Sequence, residues 1–137
     1  MSCPLDAEGG DDQEGAATMR GCLFCRIAAG DEPSERVAAA GGIIAIKDKF
    51  PRTPVHILVL PVEHIDSAHA LDLRGGHADL LAGCFRLAQR VAEGQGIADG
   101  YRITTNIGRR GGQAIAHLHF HVIGGRQLGH IDDGGSI

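Results

Sequence analysis

The run His117-Leu118-His119-Phe120-His121-Val122-Ile123 constrains this chain more than any other segment, because imidazoles and apolar side chains alternate at the two-residue period of a β-strand. An extended backbone there puts all three histidines on one face and the apolar residues on the other. The histidine face is the candidate working surface. Side chains two apart on a strand are separated by roughly 6.5–7 Å, within reach of a single phosphate and its substituents.

The chain has 137 residues, 43% of them hydrophobic, enough for one core and one domain. It contains no Trp, so aliphatic side chains must fill that core. The formal net charge of −4 is accounted for by residues 1–20, where Asp6, Glu8, Asp11, Asp12 and Glu14 face only Arg20. The rest is neutral and offers no long-range field for a polyanion, so nucleic acid is not expected as a partner and a small ligand is. No apolar window is long enough to cross a bilayer, and the N-terminus is acidic where a secretory signal is basic and then apolar. The expectation is a cytoplasmic protein without membrane attachment. Cys3, Cys22, Cys25 and Cys84 are too few and too irregularly placed for a disulfide framework, which fits a reducing compartment.

Residues 1–20 lack any apolar period and read as a disordered acidic tail, residues 21–130 as the folded domain, and 131–137 as a flexible C-terminal tail. Leu23, Phe24, Ile27 and Ala28 recur at helical intervals and predict a short helix over Cys22–Ala29, stopped by Gly30 and Pro33. Arg36–Ala40 and Ile43–Asp48 read as a hairpin around Gly41-Gly42. Val55–Leu60 is a nearly continuous apolar run ended by Pro61, the mark of a strand buried on both faces. A stripe of Leu80, Leu81, Cys84, Leu87, Ala88 and Val91 predicts a helix over Leu71–Val91 closed by Gly94 and Gly96, with Cys84 a small buried hydrophobe. Tyr101–Asn106 is a further strand. Strands in runs with helices inserted give an α+β domain, an antiparallel sheet of about five strands backed by helices.

Ahead of the histidine strand, Asn106-Ile107-Gly108-Arg109-Arg110-Gly111-Gly112-Gln113 has glycines that can turn backbone N–H groups toward an anion, with Asn106 and Gln113 as side-chain donors. A plain surface turn is the alternative for this loop, with Arg109 and Arg110 as solvated charges.

These residues resemble the histidine-triad (HIT) family, whose signature of three alternating histidines followed by two apolar residues is matched from His117 to Ile123. Gly124-Gly125-Arg126-Gln127, Gly111-Gly112-Gln113 and Pro54-Val55-His56 are similar to its Hint branch, and the resemblance runs from about Cys22 to Leu128. The uridylyltransferase-like branch has Gln where this chain has His121, and the dinucleotide-hydrolase branch usually lacks the Gly-Gly-Arg tail. The resemblance implies the HIT-like fold, a homodimer, and hydrolysis of purine nucleoside 5′-phosphoramidates or related mixed anhydrides. In the family the middle histidine, here His119, attacks the α-phosphorus and forms a nucleotidyl-histidine that water resolves. Neutral imidazole is nucleophilic near pH 7 and its phosphoramide adduct is labile, which suits a two-step displacement.

On the same resemblance, His121 lies by the phosphate and the leaving amine, and His117 and His56 complete the catalytic set, His56 as support for His119 or, in the alternative, as a satisfied core histidine. A neighbouring carbonyl is expected to hold the proton on the non-attacking nitrogen of His119. Nucleotide contacts are implied for Asp48 at the ribose, for Asn106, Gly112 and Gln113 at the phosphoryl oxygens, and for Phe24, Ile27 and Ile46 around the base, where Ile27 and Ile46 would be core residues in any case. Two departures from the family are Ala114, where relatives carry a hydroxyl or carboxylate, and Lys49, where they place an apolar residue.

Cys22-Leu23-Phe24-Cys25 has the spacing of two thiolates on one tetrahedral Zn²⁺, a site that needs two more ligands. The resemblance supplies them as His64 and His117, giving a structural zinc with no cofactor in the chemical step. Two helical thiols in a reduced protein are the competing reading. A nucleotide-binding sensor or scaffold with weak or no turnover is the alternative function, kept open by Ala114. A metal-dependent β-barrel enzyme, the third class, lacks a downstream carboxylate ligand.

Overall fold

A computed structural model describes residues 21–131. The tail expected over residues 1–20 and most of the one expected over 131–137 lie outside the described residues. The elements are α1 (Leu23–Ala29), β1 (Arg36–Ala40), β2 (Ile43–Lys47), β3 (Val55–Pro61), α2 (Ala78–Gly94), β4 (Tyr101–Thr104) and β5 (Phe120–Gly124). They build one antiparallel sheet of order β1-β2-β3-β5-β4 with two helices, the α+β architecture read from the sequence.

Strand alternation decides what each face of the sheet carries. Ile43, Ala45, Ile57, Val59, Phe120 and Val122 face α2, whose Cys84, Leu87, Ala88, Val91 and Ala92 are buried against them. Ile44, Ile46, Leu58 and Leu60 point the other way and pack on Phe24, Cys25 and Ile27 of α1. The histidines share this second face with α1. Leu87 is 1% exposed in the α2 core. Leu87→Ala should therefore destabilise the fold by about 2–5 kcal/mol, read as a lowered urea midpoint at unchanged slope.

Local chemistry sets the element ends. The β1–β2 turn places Gly41 at φ 58° and Gly42 at φ 81°, two successive left-handed residues that match the right-handed twist of the flanking strands. In α2, a Cβ on Gly83 would come within 2.8 Å of Ile43 Cδ1, so the missing side chain lets the helix sit close on the sheet.

Several element boundaries differ from the sequence reading. The second helix begins at Ala78 rather than Leu71, because Asp72 O takes the N–H groups of Gly75 and His77 while its own N–H donates to His77 Nδ1, closing a turn where the helix would start. Pro61 is the last residue of β3 rather than its terminator, paired with Ile43. β4 stops at Thr104, since its register with β5 ends at the pair Thr104 and His121. For the same reason β5 starts only at Phe120, so His117 and His119 lie on the extended segment leading into it.

Candidate active site and metal-ligand cluster

His119 is 8% exposed at the mouth of β5, with Phe24 of α1 packed edge-on to its ring at 5.0 Å. Its Nδ1 lies 2.7 Å from the carbonyl of His117. A carbonyl only accepts, so the proton sits on Nδ1 and the Nε2 lone pair is free. That is the carbonyl lock expected from the sequence. Thr105 Oγ1 donates to the His119 carbonyl at 2.8 Å and anchors the backbone from the end of β4.

His56 and His121 are fixed by a second chain of hydrogen bonds. The N–H of Arg52 donates to His56 Nδ1 at 3.1 Å, which puts the His56 proton on Nε2. Nε2 lies 2.9 Å from His121 Nδ1 and 3.3 Å from Asp48 Oδ2. His121 Nδ1 therefore accepts, and its own proton is on Nε2. This corrects one expectation: His56 supports His121, not His119, because its position opposite Ile123 in the β3–β5 register carries its ring toward His121. Donor atoms of Asp48, His56 and His121 converge within 4.8 Å of one another, the spacing of a metal site. The Arg52 N–H argues against that use, since a protonated Nε2 has no lone pair to give.

Burial pushes the His121 imidazole down to about 4, with the neighbouring rings of His119 and His56 and the cation of Arg52 acting in the same direction and the Asp48 carboxylate opposing. His119 and His56 are likewise lowered, chiefly by burial. The three rings are thus neutral at pH 7, and His119 is an available nucleophile. An unfolded chain binds a proton at His121 below about 6.5, whereas the folded one waits until about 4. Stability from this group is complete above pH 6.5 and is lost as pH falls toward 4, on the order of 2–3 kcal/mol. Urea midpoints measured across that window should fall with acid, and His121→Gln should flatten the slope.

The loop ahead of the histidines is built differently from the anion nest expected. The N–H groups of Gly111, Gly112 and Gln113 are taken by carbonyls of Gly108 and Arg109. Gln113 is 4% exposed, donates both Nε2 protons to the carbonyls of Asp66 and Ile115, and accepts from Gly108 N. Gly112 and Gln113 therefore shape the loop instead of offering donors to a phosphate. Asn106 is half-buried and donates to Gly111 O at 2.8 Å, leaving its second amide proton unengaged among the described residues. Arg109, Arg110, Ala114 and Lys49 are exposed. Phe24, Ile27 and Ile46 are buried in the α1-side core, and the Phe24 ring packs edge-on against the rings of His117 and His119.

Cys22, Cys25, His64 and His117 form a second cluster, their donor atoms within 4.8 Å of one another. Cys22 caps the N-terminus of α1, with Cys25 N donating to its Sγ. His117 is fully buried and donates from Nε2 to the Pro61 carbonyl at 2.8 Å, so its Nδ1 lone pair faces Cys22 Sγ at 3.3 Å and Cys25 Sγ at 3.5 Å. His64 donates from Nε2 to Asp66 Oδ1 at 2.9 Å and aims Nδ1 at Cys25 Sγ, 3.2 Å away. Both rings turn a lone pair toward the two sulfurs and spend their proton on an oxygen behind them, the arrangement of histidines that hold a metal. Cys22 carries a disulfide in this structure, which departs from the thiol-only expectation and means the full donor set exists only after reduction. Cys25 and Cys84 carry thiols rather than disulfides, and burial raises the Cys84 thiol to about 11, leaving it inert.

His117, assigned to catalysis by resemblance, has no exposed surface, and its ring is held among the Pro61 carbonyl and the two sulfurs. Its contribution to the site is the backbone carbonyl that locks His119. Sequence reasoning missed four groups: the Arg52 N–H, the Pro61 carbonyl, Thr105 and Asp66. Only Asp66, two residues after a candidate ligand histidine, leaves a readable signal. The others act through backbone atoms or a hydroxyl that any sequence offers in quantity.

Among the described residues no helix is long and apolar enough to cross a membrane. The HIT domain model matches residues 29–128. An uncharacterized HIT-like protein of Chlamydia trachomatis is 41% identical over 109 residues, covering 80% of this chain and 96% of the relative. The purine nucleoside phosphoramidase of Escherichia coli is 37% identical over 108 residues, covering 78% and 89%. The solved structure of a HIT family hydrolase from Clostridium thermocellum superposes with a TM-score of 0.79 at 39% identity, covering 84% of this chain and 99% of the other. With the alternating histidines, the sheet order and these matches in agreement, this chain belongs to the HIT domain family.

Proposed function

We propose that this chain is a hydrolase of nucleoside 5′-phosphoramidates or related mixed anhydrides, purine preferred, acting at the α-phosphorus through a nucleotidyl-histidine on His119. The carrying observation is the 2.7 Å bond from His119 Nδ1 to the His117 carbonyl, which frees Nε2 for attack. In the first step Nε2 bonds to phosphorus as the P–N bond to the leaving amine breaks, and the amine takes a proton. The amine takes that proton from solvent, and His121, with its proton on Nε2, is assigned the hydrogen bond to the phosphoryl oxygens. In the second step water bonds to phosphorus, loses its proton to solvent and breaks the bond to His119, releasing the nucleoside monophosphate. His56 and Asp48 hold His121 in the donating tautomer. Asp48 is also the proposed ribose contact, Asn106 a phosphoryl contact and Phe24 a wall of the base site. The relative named a purine nucleoside phosphoramidase supports this substrate class.

Acid-quenching the enzyme during turnover of adenosine 5′-phosphoramidate should trap one nucleotide on His119, located by peptide mass spectrometry. Binding of AMP with no adduct and no turnover would favour the sensor reading instead.

A structural zinc is proposed at Cys22, Cys25, His64 and His117. Two thiolates and two imidazoles fit tetrahedral Zn²⁺, and four protein ligands leave no position for substrate, so the ion would pin α1 to the histidine segment and take no chemical step. Protein purified under reducing conditions without added zinc should contain about one ion per chain, and clearly substoichiometric metal discards the site.

A cytoplasmic homodimer completes the proposal. β4 is an edge strand, a pairing surface that a second copy can cover. Light scattering should return twice the chain mass.

A further inference from the structure

We infer that residues 64–66 are a strap through which the metal cluster holds the 106–113 loop in its substrate-binding shape, with Gln113 as the positioning residue. The inference rests on the zinc and nucleotide readings above.

Three consecutive residues reach three different parts of the site. His64 aims Nδ1 at Cys25, the Ile65 carbonyl accepts from Leu118 N at 2.7 Å between His117 and His119, and Asp66 faces two ways. Its carboxylate holds His64 Nε2 at 2.9 Å, while its carbonyl accepts from Gln113 Nε2 at 2.7 Å. The other Nε2 proton goes to Ile115 O at 2.9 Å and Oε1 accepts from Gly108 N at 2.8 Å. One buried amide thus ties both ends of the loop to the strap. The turn between them, Arg109–Gly111, has no buried residue, so hydrophobic packing does not hold it. Such a segment lies at the low-stability end of a fold and takes its shape from its hydrogen bonds.

The link to the metal runs through His64. The Asp66 side chain is 66% exposed while that of His64 is 6% exposed, and an ion pair with one end in solvent contributes little by itself. An ion on Nδ1 would fix the His64 ring, which then fixes the carboxylate, the Asp66 peptide and the carbonyl that Gln113 uses. Metal loss should therefore loosen a loop it does not touch.

Hydrogen exchange of amides 108–113 is the direct readout, on zinc-loaded wild type, chelated wild type and Gln113→Met, which keeps bulk without donors. Chelation and Gln113→Met should each speed exchange there by about tenfold or more. Gln113→Met should keep its zinc, and its KM for adenosine 5′-phosphoramidate should rise about tenfold with kcat within about threefold. Loop protection unchanged by verified zinc removal overturns the coupling, and wild-type protection and KM in Gln113→Met overturn the positioning role. A wild type that never binds zinc ends the metal reading and the coupling with it, while Gln113→Met still decides whether the strap shapes the loop. Should that variant unfold by circular dichroism, Asp66→Ala decides the matter, because it keeps the carbonyl Gln113 uses. Its zinc affinity should fall about 10–100-fold, and its loop should exchange faster at subsaturating zinc. Wild-type protection under those conditions overturns the strap.

Discussion

His119→Ala should lower kcat for adenosine 5′-phosphoramidate by about 10⁴-fold or more while AMP still binds, measured by stopped-flow turnover and isothermal titration. Neither of the other two triad imidazoles can take over. His117 is fully buried with its ring committed to the Pro61 carbonyl and the sulfurs, and His121 turns its lone pair to His56 and presents a proton. Among the triad rings, only His119 combines a protonated Nδ1 with an uncommitted Nε2. The fold should survive, because the ring leaves a gap at the site mouth beside Phe24 while the α2 core is untouched. The covalent nucleotide should vanish with the activity. Turnover retained in the variant would remove His119 from the mechanism.

Removing the metal should have the largest effect on stability. His64→Ala, or chelation of the reduced wild type, should lower Tm by roughly 10–20 °C, the equivalent of a loss of about 3 kcal/mol in a domain of this size. Helix α1 has 7 residues, too short to persist by itself, and Phe24, Cys25 and Ile27 are its buried contacts with the sheet. A zinc ion would join its two thiols to His64 and His117 and add a cross-link between α1, the segment after β3 and the approach to β5. Calorimetry with a chromogenic chelator reads unfolding and zinc release together. Identical Tm values for loaded and stripped protein would leave the cluster as an accidental meeting of thiols and rings.

Alternation made the histidine segment legible: Leu118, Phe120 and Val122 do face α2, and the histidines do share the opposite face. The strand hydrogen bonds begin only at Phe120, since β4, the partner, ends at Thr104, and partner length is not written in the histidine segment. The start of α2 was missed because Leu71 and Leu73 continue an apolar spacing while the Asp72 turn competes for the same backbone donors. Gln113 was read as a phosphate donor because a sequence shows that an amide is available, not whether carbonyls 47 and 2 residues away have already taken its protons.

By itself the sequence determined which side chains could do chemistry, the face they share and the class of sheet that carries them, because side-chain period and residue type are local properties. Tertiary structure alone decided the tautomers. Each ring nitrogen takes its role from a backbone group at another point of the chain: the Arg52 N–H for His56, the Pro61 carbonyl for His117 and the His117 carbonyl for His119. A neutral imidazole has one proton for two nitrogens, so whichever group meets one of them fixes what the other can do.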